Sequence, residues 1–108
     1  MVNIGVIGVG RWGLNYLKTL KNIENASVRW ICSSTKETLE KAIAETKIDA
    51  KRTINYKDML KDDEIDAVII SSPASTHYKI AKDSLLAGKN VLVEKPICLN
   101  SKDASELL

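Results

Sequence analysis

Cysteine is scarce in this chain: Cys32 and Cys98 are the only two, far apart and with no further ligand at metal-binding spacing. That excludes a disulfide framework and a zinc site as organising features, and both thiols are expected to be buried and reduced, with no metal site elsewhere. No apolar run approaches the roughly 20 residues of a membrane span, and no basic and apolar leader precedes the first strand-like segment. A membrane partner is therefore not expected, and the sequence reads as cytoplasmic. Charge of one sign is lacking too: 16 basic and 14 acidic residues are spread along the chain, so no basic stripe marks a nucleic-acid partner. Repeats, linkers and low-complexity stretches are missing. What is left, 108 residues with 44% hydrophobic and 28% charged content, suits one globular domain with a single core.

The most informative segment opens the chain. Asn3 to Ile7 reads as a short apolar strand that runs directly into Gly8-x-Gly10-x-x-Gly13 and then into a helical pattern. In that context Gly8 would turn the backbone sharply off the strand, Gly10 would leave room for a pyrophosphate against the main chain, and Gly13 would let the helix lie close on the sheet. The anion would sit on a helix N-terminus, where free N–H groups and the positive end of the dipole favour it. Glycines also mark ordinary tight turns; the flanking strand and helix are what favour a dinucleotide.

Farther along, apolar runs interchange with segments of period 3.6, the pattern of a parallel sheet with crossover helices. A first helix is expected over Arg11 to Lys21 with Leu14, Leu17 and Leu20 toward the sheet, then a strand over Ser27 to Cys32. A second helix would open on Ser34 and Glu37 at capping-box spacing and carry Leu39, Ala42 and Ile43 on one face. A short third strand follows around Lys51 to Ile54, and Asn55 can cap a brief helix containing Met59 and Leu60. Ile65 to Ser71 forms a fourth strand, stopped by Ser72-Pro73. The fourth helix, Thr76 to Ala87, would turn Ile80, Ala81, Ser84 and Leu85 inward and end at Gly88 as a left-handed C-cap. Asn90 to Val93 is a fifth strand, and a helical stretch from Ser101 shows no stop signal at Leu107-Leu108, so the chain reads as cut rather than finished. The expected fold class is α/β, a Rossmann-type doubly wound parallel sheet short of the six strands of the complete double unit.

Two further runs, Ser71-Ser72-Pro73-Ala74-Ser75-Thr76-His77-Tyr78 and Ala87-Gly88-Lys89-Asn90-Val91-Leu92-Val93-Glu94-Lys95-Pro96, join the glycine loop Gly8-Val9-Gly10-Arg11-Trp12-Gly13. Together they resemble the N-terminal half of the Gfo/Idh/MocA oxidoreductases, over essentially the whole chain. The resemblance implies an NAD(P)-dependent dehydrogenase or reductase acting on a hydroxyl or carbonyl of a sugar, polyol or nucleotide sugar. It also implies that residues 1–108 are the dinucleotide-binding domain. A larger α/β domain would follow in the intact protein, supply most substrate contacts and mediate homo-oligomerisation, and the chain alone is expected to be inactive.

By the same resemblance Lys95 is the candidate catalytic residue, its ammonium beside the nicotinamide and the reacting oxygen. Its place after the fifth strand agrees, because ligands of open α/β sheets bind outside the carboxyl ends of the strands. A lysine there can polarise a carbonyl and, with a lowered pKa, move a proton; a solvated lysine capping a strand is the alternative. In the family the proline at Pro96 commonly follows a cis peptide, and Glu94 would touch the cofactor or hold Lys95, or else stand as an exposed carboxylate. His77 falls at the lip of the crevice, either as a helper near the cofactor or as a satisfied histidine starting a helix. Ser71, Ser72 and Pro73 would pass beneath ribose and nicotinamide by backbone contact. Trp12 would pack or cover the pyrophosphate, and Arg11 would pair with a phosphate or stay solvated.

Cofactor preference turns on the end of the second strand, where an acidic residue about 20 positions beyond the glycine motif would hold a ribose 2′-hydroxyl. Ser33 stands there, followed by Ser34, Thr35 and Lys36. Hydroxyls and a cation suit a 2′-phosphate, so NADP is favoured and NAD stays open, with Ser34 as a helix cap the plainer reading. Two other classes compete: a non-catalytic nucleotide-binding module, which would need no Lys95, and an S-adenosylmethionine-dependent methyltransferase, against which the missing acid at Ser33 argues.

Overall fold

Five strands alternate with four helices in the computed structural model, which describes residues 2–71 and 76–93. They are β1 (Val2–Ile7), α1 (Arg11–Lys21), β2 (Ala26–Cys32), α2 (Lys36–Thr46), β3 (Lys51–Thr53), α3 (Tyr56–Leu60), β4 (Ala67–Ile70), α4 (His77–Leu86) and β5 (Asn90–Val93). All pairings are parallel, in the order β3-β2-β1-β4-β5, so the expected Rossmann-type α/β sheet is the fold. A parallel sheet is covered on both faces, and for that reason the inner strands read as continuous apolar runs. Ile4, Val6 and Ile69 face Leu17 and Leu20 of α1 and Leu39 and Ala42 of α2. Ile7, Val68 and Ile70 face Met59 of α3 and Ile80 and Ala81 of α4. The chain steps outward from β1 to β2 and β3, then returns to the other side of β1 as β4, and this reversal opens a crevice at the carboxyl ends of β1 and β4.

Several local expectations are corrected. Helix α2 is capped by Thr35, not by a Ser34/Glu37 box: Thr35 is extended and its Oγ1 accepts from the Thr38 N–H at 3.3 Å. The turn comes one residue late because the Ser33 N–H still donates to the Thr53 carbonyl, prolonging the ladder between β2 and β3. Ile65 lies outside β4, where its N–H donates to the Asp62 carbonyl in the turn after α3, yet its side chain fills the core. Ile54 lies beyond β3 and is exposed. Leu85 is also exposed, because His77, Ile80, Ala81 and Ser84 take the inward stripe of α4. The brief helix capped by Asn55 forms as expected, its Oδ1 accepting from the Lys57 N–H at 3.1 Å. Gly88 adopts φ of +80° just past α4. Residues 101–108, read as a further helix, lie outside the described residues.

Candidate functional site

A groove of about 540 Å³ occupies the crevice at the carboxyl ends of β1, β2 and β4. Its floor is the turn out of β1. Gly8 takes φ of +87°, a conformation that only glycine adopts without strain. The turn is fastened on both sides: the Gly8 N–H donates to the Cys32 carbonyl at 2.8 Å, and the Gly8 carbonyl accepts from Ser71 Oγ at 2.5 Å. Gly13 lies directly over it. A Cβ there would sit 1.8 Å from the Gly8 carbonyl oxygen and 2.8 Å from Ser71 Oγ, so α1 approaches the sheet only because residue 13 has no side chain.

Gly10 is different. Its φ is −74°, outside the left-handed region, and a Cβ would meet no atom within 4 Å. The protein's own packing does not call for glycine there, whereas a ligand lying against the backbone would. Gly10 is also the N-cap of α1, it lines the groove, and the first turn of α1 carries no acidic side chain. The positive end of a helix dipole thus opens onto the groove, the arrangement that receives an anion.

Of the residues singled out from sequence, Gly8, Gly10, Ser33, Ser34 and Ser71 come together around this groove. With Thr35 as the cap of α2, Ser34 is left to the groove wall. His77 is the first residue of α4, and its side chain is buried at 2% exposure; Thr76, its neighbour, is the one that lines the groove. Arg11 and Trp12 supply backbone to the first turn of α1. Ser72, Pro73, Glu94, Lys95 and Pro96 lie outside the described residues. Sequence reading missed Thr38, Ile54 and Tyr56, which also line the groove. Their signal was faint, since each reads locally as an ordinary helix-start or strand-end residue.

Cys32 lines the groove as a free, buried cysteine. Burial first, then the negative charge of Asp58, pushes its thiol up to about 11, so it stays protonated at neutral pH and is not a nucleophile. Beside the groove, and sharing Ile54 with it, a second cleft of about 370 Å³ is lined by Lys36 and Arg52. Among the described residues no group of three or more His, Cys, Asp or Glu could hold a metal ion, and no helix is long and apolar enough to cross a membrane.

Residues 2–108 match the Gfo/Idh/MocA profile, an oxidoreductase family with an NAD-binding Rossmann fold. The chain belongs to this family. Among Gfo/Idh/MocA structures, the myo-inositol dehydrogenase of Lactobacillus casei, solved with NAD(H) and myo-inositol, superposes with a TM-score of 0.94 at 28% identity, over 99% of this chain and 32% of that one. A 3-ketoreductase from Actinomadura kijaniata, solved with NADP and TDP-benzene, gives 0.87 at 27% identity over 98% and 32%. A curated relative, glycosyl hydrolase family 109 protein 2 of Shewanella sp. (strain ANA-3), is 36% identical over 104 residues, 89% of this chain and 23% of that protein. The chain thus spans about a quarter of that relative and about a third of those structures.

Proposed function

We propose that this chain is the dinucleotide-binding domain of an NAD(P)-dependent oxidoreductase that interconverts a hydroxyl and a carbonyl on a sugar or polyol. The single observation that supports it best is Gly10, a glycine that neither φ nor packing requires, at a helix N-terminus open to a groove. Backbone N–H groups of the first turn of α1 would hold the pyrophosphate, with Ser33 and Ser34 at the adenosine ribose and Ser71, Ser72 and Pro73 beneath the other ribose. The bound nicotinamide would accept or donate the hydride. Lys95 would hold the reacting oxygen and take or return its proton, with Glu94 and Pro96 shaping that turn and His77 supporting the start of α4. Arg11 would add charge at the phosphates and Trp12 would cover them. A following domain would supply the substrate pocket.

NADP is the preferred cofactor in this reading. Ser33 presents no carboxylate to repel a 2′-phosphate, and Lys36 and Arg52 flank the adjoining cleft. The likeness to a family 109 glycosyl hydrolase favours a second reading, glycoside hydrolysis. The usual pair of carboxylates is not found among the described residues lining the groove, so hydrolysis here would follow the NAD-dependent exception to that scheme.

The test is to titrate the intact protein with NAD and NADP and then supply inositols, sugars and aryl glycosides. Net formation of reduced nucleotide, lost about 10² to 10⁴-fold in kcat in Lys95→Ala with cofactor affinity kept, is the expected result. Sugar release without net change in the nucleotide would favour the hydrolase, and tight binding with no turnover would favour a binding module. Ser33→Asp should reverse the preference for NADP.

A further inference from the structure

The geometry points to Tyr56 as the wall against which the base of the adenosine half lies, set at its angle by Asp83. The inference rests on the dinucleotide reading above and names the contact that would carry the base. In a doubly wound sheet the adenosine ribose belongs at the end of β2, where Ser33 stands. The next strand outward is β3, and the groove wall just beyond it is Ile54 and Tyr56. An exposed aliphatic side chain beside an aromatic ring makes an apolar surface suited to a flat purine.

Tyr56 is not free to move off that wall. It is half-buried and packs against the cluster of Ile7, Cys32, Met59 and Ile80, while its hydroxyl donates to Asp83 Oδ2 at 2.5 Å. Asp83 belongs to α4 and does not itself line the groove, so it acts on the ligand only through the tyrosine. Burial, and then the hydrogen bond to Asp83, hold the phenol well above its usual range, so it remains a donor across the working pH range. A ring fixed at both edges before the ligand arrives loses little freedom on binding.

Calorimetry on the intact protein with NAD, ADP-ribose and nicotinamide mononucleotide separates the two halves of the cofactor. Tyr56→Leu keeps apolar volume and removes the ring; it should weaken NAD and ADP-ribose about tenfold and leave the mononucleotide within about twofold. Asp83→Ala should reproduce about threefold of that loss, and Asp83→Asn, which keeps an acceptor oxygen, should restore it. A merely structural role would lower the melting temperature without separating the two ligands. Unchanged ADP-ribose affinity in folded Tyr56→Leu overturns the inference, as does an equal loss for both halves. Should Tyr56→Leu fail to fold, Tyr56→Phe serves in its place, with the loss seen in Asp83→Ala expected and wild-type affinity overturning the anchor. A wild-type protein that binds none of NADP, NAD and ADP-ribose overturns the dinucleotide reading itself, a result distinct from any of these.

Discussion

Gly10 and Gly13 belong to one motif but answer to different demands, and substitution separates them. Alanine at position 13 would force its Cβ against the Gly8 carbonyl 1.8 Å away, pushing α1 off β1. Gly13→Ala is expected to destabilise by about 2 to 3 kcal/mol, seen as a lower thermal midpoint. Alanine at position 10 meets nothing within 4 Å. Gly10→Ala should keep its stability within about 1 kcal/mol and lose about tenfold in dinucleotide affinity. Thermal melts and titrations of both variants check the pair; a Gly10→Ala protein that binds like wild type would take the glycine loop out of the site.

At the scale of an element, α2 shows how one hydrogen bond elsewhere relocates a helix start. Ser33 stays in the ladder through its bond to Thr53, so Thr35 becomes the cap and its hydroxyl also meets that of Thr38 at 2.8 Å. Thr35→Ala should lower stability by about 1 kcal/mol. Ser34→Ala, at an exposed position that caps nothing, should stay within about 0.5 kcal/mol of wild type while weakening NADP. Urea midpoints of the two variants measure the difference, and the reverse order would return the cap to Ser34.

Across the whole molecule, Asp62 joins three segments. Its Oδ2 accepts from Trp30 Nε1 at 2.8 Å and Arg29 Nε at 3.0 Å, its Oδ1 accepts from the Glu64 N–H at 3.0 Å, and its carbonyl accepts from Lys89 Nζ at 2.9 Å. Arg29 also pairs with Glu64. Arg29 is the extra residue where the β1–β2 register shifts, and the bulge is why Val28 and Ile31, three apart, fill the same core cluster. The indole donor first, then the Glu64 N–H and Arg29, hold the Asp62 carboxyl well below the usual carboxylate range. A depressed folded-state pKa contributes stability that is present above the unfolded value, about pH 4, and fades as pH falls below it. Asp62→Asn should therefore be less stable than wild type at neutral pH, with the gap narrowing in acid. Melts at pH 7 and pH 3 check this, and a gap that does not change with pH would show that the carboxylate's charge is not what matters.

Local pattern alone determined a great deal here. Alternation of apolar runs with helical periods specified the five strands and their parallel sense, and the glycine spacing after β1 specified the sharp turn at Gly8 and the close approach of α1 at Gly13, because both signals arise from neighbours in sequence. Asn55 as a cap and Gly88 beyond α4 were legible for the same reason. Tertiary structure decided what depends on distant partners. Thr53, reached only through the β2–β3 ladder, moved the start of α2; the buried stripe of α4 that it shares with Ile80, Ala81 and Ser84 put His77 inside rather than on the groove wall. Tyr56 entered the groove because α3 and α4 meet on one face of the sheet, where Asp83, 27 residues away in sequence, could take its hydroxyl. No local pattern encodes such a meeting, since it exists only once the crossovers have brought the two helices side by side.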